Sequence, residues 1–153
     1  MDNGFALFEA ITDKKGELKN HRIVEVNKAF EELTGVKPEK PDVISCPDIF
    51  HDPVYEKEFP KAVKKALAGK SVQQEHYFKQ FGKHFRIHYF SYDTGYFAML
   101  LQDITRIKTE IESSRHLASI VESSEDAIFS ESPDGKILSW NNGAYQLYGY
   151  TDK

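Results

Sequence analysis

The chain has 153 residues, 40% of them hydrophobic and 13% aromatic, which suits one packed domain plus part of another and excludes a disordered polypeptide. Its 20 basic and 24 acidic residues leave a net charge of −4 with no basic run, so there is no electrostatic footprint for nucleic acid or an anionic membrane surface. No apolar run approaches the ~20 residues that span a bilayer. The N-terminal MDNGFALFEA lacks the charged start and long apolar core of a signal peptide. The single cysteine, Cys46, cannot form an internal disulfide, and a cytoplasmic setting with no membrane contact by this segment is expected.

Residues 5–12 (FALFEAIT) read as a first strand, with Ala6, Phe8 and Ala10 on one face and Phe5 and Leu7 on the other. A polar connection, 13–20, leads to a short β-branched strand at 22–26. Asn27 is placed to cap the helix KAFEELTG, which Gly35 ends. The proline-rich stretch 36–53 has no sustained period and predicts short turns. Residues 60–68 predict a helix with Pro60 in its first turn and Gly69 after its end.

Three strand-like runs come next, 71–79, 83–91 and 95–103, separated by short connections that contain Gly82 or Gly95. A tight turn at Phe81–Gly82 would set Phe78 opposite Phe85, Tyr77 opposite Arg86 and Glu75 opposite His88. One face would then carry Glu75, Tyr77, Lys79, His84, Arg86 and His88, and the other Gln74, His76, Phe78, Phe85, Ile87 and Tyr89. The last strand is apolar on both sides, as a central strand covered on both faces would be.

Residues 101–121 connect this unit to the C-terminal part of the chain. Ile104, Ile107, Ile111, Ser114, Ala118 and Val121 recur at steps of three and four, the seam of an amphipathic helix that could pair with a copy of itself or pack on its own domain. Beyond it the chain repeats. Placing Asn27 on Asn141 also places Ile23 on Ile137, Val26 on Trp140, Leu33 on Leu147 and Gly35 on Gly149. The expected organisation is a first domain at 1–103, a linker helix at 104–122 and the opening of a second domain at 123–153 that exposes Trp140, Tyr145, Leu147 and Tyr148.

The segment RIVEVNKAFEELTG resembles the signature of PAS domains, and HFRIHYFSYDTGYFAMLLQDITRIK resembles their final hairpin with its Asp-Ile-Thr junction. SESPDGKILSWNNGAYQLYGYT resembles the start of a second PAS domain. The resemblance implies an α+β fold: a five-stranded antiparallel sheet in order 2-1-5-4-3, helices over one face and a C-terminal signalling helix. It also implies a sensor or dimerisation module attached to a downstream output domain, in a histidine kinase or, alternatively, a diguanylate cyclase or phosphodiesterase. Asp103 and Thr105 would cap the helix, and Asp103, Ile104, Thr105, Ile107 and Ile111 would relay the signal.

Cofactor signatures of the family do not match. Cys46 lies in ISCPDIF rather than in a flavin-reactive motif, the helix PKAVKKALAG carries no haem-ligating His, and no Trp lies near the second strand of the first domain. No cofactor is predicted, and an unidentified small ligand stays open. A metal site is not expected, because His84 and His88 fall on one face and His76 on the other, with no completing ligand set. No phosphate loop, nucleophile elbow or other catalytic set appears, and His116 lacks the neighbours of a phosphoacceptor, so the chain itself is not expected to be an enzyme. The candidate pocket lies between the inner sheet face and the helices, lined by Phe8, Phe30, Phe59, Val63, His76, Phe78, Phe85, Ile87 and Tyr89. Small-ligand sensing relayed through a homodimeric helix is the first expectation. A ligand-free dimerisation scaffold, its interior filled by its own aromatic residues, is the alternative.

Overall fold

In the computed structural model of the chain, residues 3–37 and 49–149 are described. Cys46 and most of the proline-rich stretch, 38–48, lie outside them. The chain divides into two compact units, Met1–Arg106 and Ile107–Lys153.

Five strands form the sheet of the first unit: β1 (Gly4–Thr12), β2 (Leu18–Val26), β3 (Val72–Phe78), β4 (Lys83–Asp93) and β5 (Tyr96–Asp103). Their order is β2-β1-β5-β4-β3 with every neighbour antiparallel, the order the resemblance implies. β2 starts four residues before the expected Arg22. Within its first half, LKNH, Lys19 and Asn20 are exposed on this edge strand while Leu18 and His21 turn inward. Asp13 Oδ1 accepts the amides of Lys15 and Glu17 at 2.9 Å each and shortens the loop to 13–17.

The β3–β4 hairpin pairs Glu75 with Arg86, His76 with Phe85 and Tyr77 with His84. This corrects the expected register by two residues. The connection is a four-residue turn, 79–82, closed by amide bonds from Phe81 to Phe78 O and from Gly82 to Lys79 O. Because side chains alternate with period two, a two-residue shift leaves each face as expected while changing every partner.

Two helices belong to this unit, α1 (Lys28–Thr34) and α2 (Pro53–Leu67). α2 starts seven residues earlier than expected, which places Pro60 inside the helix rather than in its first turn. Asp52 caps it, accepting the Val54 and Tyr55 amides at 2.9 Å each, and Pro53 takes the first position, where a missing N–H costs nothing. Pro60 removes one interior hydrogen bond. The face formed by Tyr55, Phe59, Ala62, Val63 and Ala66 is buried and holds the helix on the sheet.

The core lies between this helix face and the inner sheet face. Phe8, Phe30, Phe85, Ile87, Tyr89, Phe97, Met99 and Leu101 are fully buried there. Phe8 and Phe97 stack across the β1–β5 ladder, in register, with ring centres 4.9 Å apart and planes 7° from parallel. On the outer face Leu7 and Ala98 oppose each other and are also buried. β5 is thus buried along its inner face and at Ala98 on the outer one, while Tyr96 and Leu100 on the outer face stay partly exposed.

The second unit holds α3 (Thr105–Ser123, whose first two residues belong to the first unit), β6 (Phe129–Glu131), β7 (Ile137–Trp140) and α4 (Asn142–Tyr148). β6 and β7 form an antiparallel pair. Asn27 and Asn141 adopt the same extended conformation, φ −91° and −88°, and each caps the helix after it. Gly35 and Gly149 end those helices at φ 75°, the left-handed conformation that glycine adopts freely.

Truncating Phe97 to Ala removes a fully buried ring from the centre of this packing. It is expected to lower the unfolding free energy of the first unit by about 3–5 kcal/mol, measured by urea titration.

Candidate functional site

The residues expected to line a pocket do come together, and they touch one another. Phe59 lies 5.9 Å from Tyr89 and 6.1 Å from Phe97, and Phe78 lies 5.9 Å from Phe85, all between ring centres. Phe8, Phe30, Phe59, Val63, Phe78, Phe85, Ile87 and Tyr89 are all buried members of one core cluster. A surface groove of about 490 Å³ beside α2 and β3 is lined instead by Glu58, Lys61, Lys64, Lys65, Lys70, Val72 and Gln74 among others. None of the expected lining residues reaches it.

His76 stands at the rim of the core on β3. Its ring centre is 4.6 Å from that of Phe78, and Nε2 lies 3.2 Å from Asp52 Oδ1 without the alignment of a hydrogen bond. The Tyr55 amide, working against partial burial, and then His76 hold the Asp52 carboxyl below the usual carboxylate range. His84 and His88 lie on the opposite face. The His84 amide donates to Thr105 Oγ1, and the His88 ring meets the Ser71 hydroxyl. Among the described residues no group of three or more His, Cys, Asp or Glu is placed to hold a metal ion.

Sequence reasoning missed three polar side chains in or against this interior. His21, left between the expected connection and strand, is an inner-face residue of β2, 4% exposed, with its ring centre 4.9 Å from that of Phe59 and 5.7 Å from that of Phe8. The alternation of His21 with Ile23 would have shown it. Tyr55 Oη and Tyr89 Oη meet at 2.6 Å in the core, and the Asp-Pro start of α2 was the signal that puts Tyr55 on a helix. Gln80, in the β3–β4 turn, donates to Ile49 O at 2.6 Å and accepts the His51 amide at 2.9 Å.

At the far end of β5 the chain leaves the core through a compact junction. Asp103 Oδ1 accepts both the amide and the hydroxyl of Thr105, at 3.0 and 2.6 Å. Its Oδ2 lies 2.9 Å from Lys83 Nζ. Thr105 Oγ1 accepts the His84 amide at 2.9 Å, and the Ile104 amide donates to His84 O at 2.9 Å. Burial alone would raise the Asp103 pKa, but the two Thr105 bonds and then Lys83 outweigh it and lower it overall. Ile104 is fully buried and precedes α3, so it does not lie on the helical seam expected of it. Ile107 and Ile111 do lie on α3 and are 45% and 43% exposed. Leu117 and Ile120, off the expected seam, are more exposed still.

A sheet in the order 2-1-5-4-3, with helices over one face and a capped helix leaving β5, defines a PAS-type sensory module. Residues 6–106 match a PAS-domain family model and residues 115–153 match a second one. The chain belongs to the PAS-domain family, as one complete domain followed by the start of another. Two of the solved structures that it resembles show the same fold. A domain of an HTR-like protein from Haloarcula marismortui superposes with a TM-score of 0.52 at 18% identity, covering 67% of this chain and 98% of that one. An RNA-binding light-oxygen-voltage receptor gives 0.54 at 16% identity, covering 77% of this chain and 34% of the receptor. A domain of a sensory box sensor histidine kinase/response regulator from Geobacter sulfurreducens gives 0.48 at 10% identity, covering 66% and 82%. No curated protein sequence matches the chain.

Because the pKa of Asp103 is lowered in the folded state, its contribution to stability is complete above the unfolded value of about 4 and disappears as pH falls through the folded value. Asp103→Asn should therefore destabilise the first unit at pH 7 and converge on the parent at low pH. Urea melts of both proteins across pH 2–7 check this.

Proposed function

We propose that the chain is a PAS signal-relay segment of a larger signalling protein, acting through dimeric pairing of α3. The observation that supports this best is the continuity of β5 with the junction. Phe97, Met99 and Leu101 are packed in the core, and two residues later Asp103 caps the helix while Thr105 binds β4. A shift in core packing that moves β5 moves the start of α3 with it. Asp103, Ile104 and Thr105 form the relay, and Ile107 and Ile111 provide the exposed pairing surface. Such a relay needs two arrangements of the helix and an input that favours one of them.

Two readings of the interior are compatible with this plan, and the packing favours the ligand-free one. The proposed lining residues are already in mutual ring contact, which supports an interior filled by the protein's own aromatic side chains. Small-ligand sensing would require Phe59, Tyr89 or their neighbours to give way. A native mass spectrum of the purified chain is expected to show the polypeptide mass alone, and a retained small molecule would reverse the preference.

A histidine kinase is the proposed parent, with a diguanylate cyclase or phosphodiesterase as the alternative, and a cytoplasmic setting is proposed for this segment. No helix among the described residues is long and apolar enough to cross a membrane.

Replacing Ile107 and Ile111 with Asp would bring charge into the paired seam at a cost of several kcal/mol. The double variant is expected to weaken dimerisation at least ~100-fold, about 3 kcal/mol, with the melting of the first unit unchanged. Sedimentation equilibrium reads the first effect and near-ultraviolet circular dichroism the second. A dimer that survives moves the interface away from α3.

A further inference from the structure

Asn27 and Asn141 cap their helices in the same way, yet their surroundings differ. Asn27 Oδ1 accepts the Phe5 and Phe30 amides at 2.8 and 2.9 Å, Nδ2 donates to Asn3 O at 2.9 Å, and the residue is exposed. Asn141 Oδ1 accepts the Ile128 and Ala144 amides at 2.8 and 2.9 Å, and Nδ2 donates to Asp126 O at 3.0 Å. That much is the same pattern, each bond matching its counterpart. Asn141 Nδ2 makes one bond more, 2.7 Å to Val121 O in the last turn of α3, and the residue is only 3% exposed. One side chain therefore joins the end of α3, the linker, the start of β6 and the first turn of α4.

Gly143 makes the close approach possible. A Cβ there would stand 2.3 Å from Asp126 O and 2.8 Å from Ser124 O, both backbone atoms. Contacts that short cannot be relieved by turning a side chain. The corresponding residue of the first unit is Ala29, which carries the Cβ that Gly143 lacks. Of the two Asn caps, among the described residues, Asn141 alone adds a bond to a preceding helix.

We infer that the Asn141 side-chain amide and Gly143 form a fixed joint that couples α3 to the second PAS unit, making Asn141 a positioning residue for signal transfer out of the helix. The inference deepens the relay reading and rests on it for its biological meaning. Without the joint, Val121 O would keep only its longer bond from the Ser124 amide, 3.3 Å, and the helix could rotate independently of α4. With it, a rotation or shift of α3 is passed directly to the strand and helix that open the second unit.

Two substitutions separate the joint from simple helix capping. Asn141→Asp keeps the acceptor for the Ala144 and Ile128 amides, and its charge suits a helix N-terminus, but it removes both donated bonds. Gly143→Ala forces residues 124–126 away while leaving Asn141 intact. Hydrogen exchange of the full chain, with Asn27→Asp and Ala29→Gly as controls, reads the result. Both joint variants are expected to accelerate exchange in the last turn of α3, residues 119–123, by about tenfold or more. The Ala144 and Tyr145 amides should keep their protection in Asn141→Asp, and the controls should leave α3 unchanged. If the end of α3 exchanges at the parent rate in both variants, or if α3 and α4 lose protection together in Asn141→Asp, the joint is overturned and Asn141 is only a cap. A chain that keeps the protected joint but pairs as well with Asp at 107 and 111 would leave the joint standing and remove the dimeric relay.

Discussion

The stacked rings of Phe8 and Phe97 set the terms for the whole first unit. They lie in register on the two central strands, so their contact fixes how β1 and β5 run past one another. Phe59 from α2 and His21 from β2 close on the same pair of rings. A helix, an edge strand and both central strands are thereby referred to one point. Aromatic pairs gain about 0.5–1.5 kcal/mol beyond their burial, and here the contacts share members, so displacing one ring disturbs several. A core of this kind responds to perturbation by repacking as a unit, which suits it to passing a change along β5.

Polar groups in this interior are arranged with the same economy. Tyr55 and Tyr89 share a hydrogen bond between their hydroxyls in the buried core. At the exits, single side chains make several bonds each: Asp52 and Asp103 each start a helix while also meeting a cation or imidazole from a strand. The Asn caps extend that habit. A helix start leaves backbone donors unpaired, so it is a place where a side chain can both terminate one element and hold another.

How much of this could be seen in the sequence depends on the range of the forces involved. The caps that Asn27 and Asn141 place on Phe30 and Ala144, and the helix ends at Gly35 and Gly149, act within one helical turn. Those roles follow from residue type and position alone, whereas the longer-range bonds of the two Asn side chains do not. The inner and outer faces of β4 and β5 follow from alternation. The β3–β4 register does not, because alternation is equally satisfied by a shift of two, and Gln80, a turn residue whose partners are about thirty residues away, decides the turn. The start of α2 was obscured by Pro60, whose usual place is a first turn, although Asp52–Pro53 carried the same signal one helical stretch earlier. Of the candidate site, the lining residues were legible as one apolar face. Their contact with each other was not, since alternation sets which way a ring points but not what meets it.

The turn at 79–82 has a consequence for what the sheet can tolerate. Hairpin loops are ordinarily the places where a fold absorbs insertions and deletions without effect. Gln80 sits in this one and holds Ile49 and His51 by their backbones, directly ahead of the residue that caps α2. Phe81, beside it, packs its ring 6.0 Å from Phe50 and 5.8 Å from Phe85. The loop is therefore a spacer of defined length between the sheet and the helix across it. A homologue that lengthened or shortened it would have to find another way to seat α2.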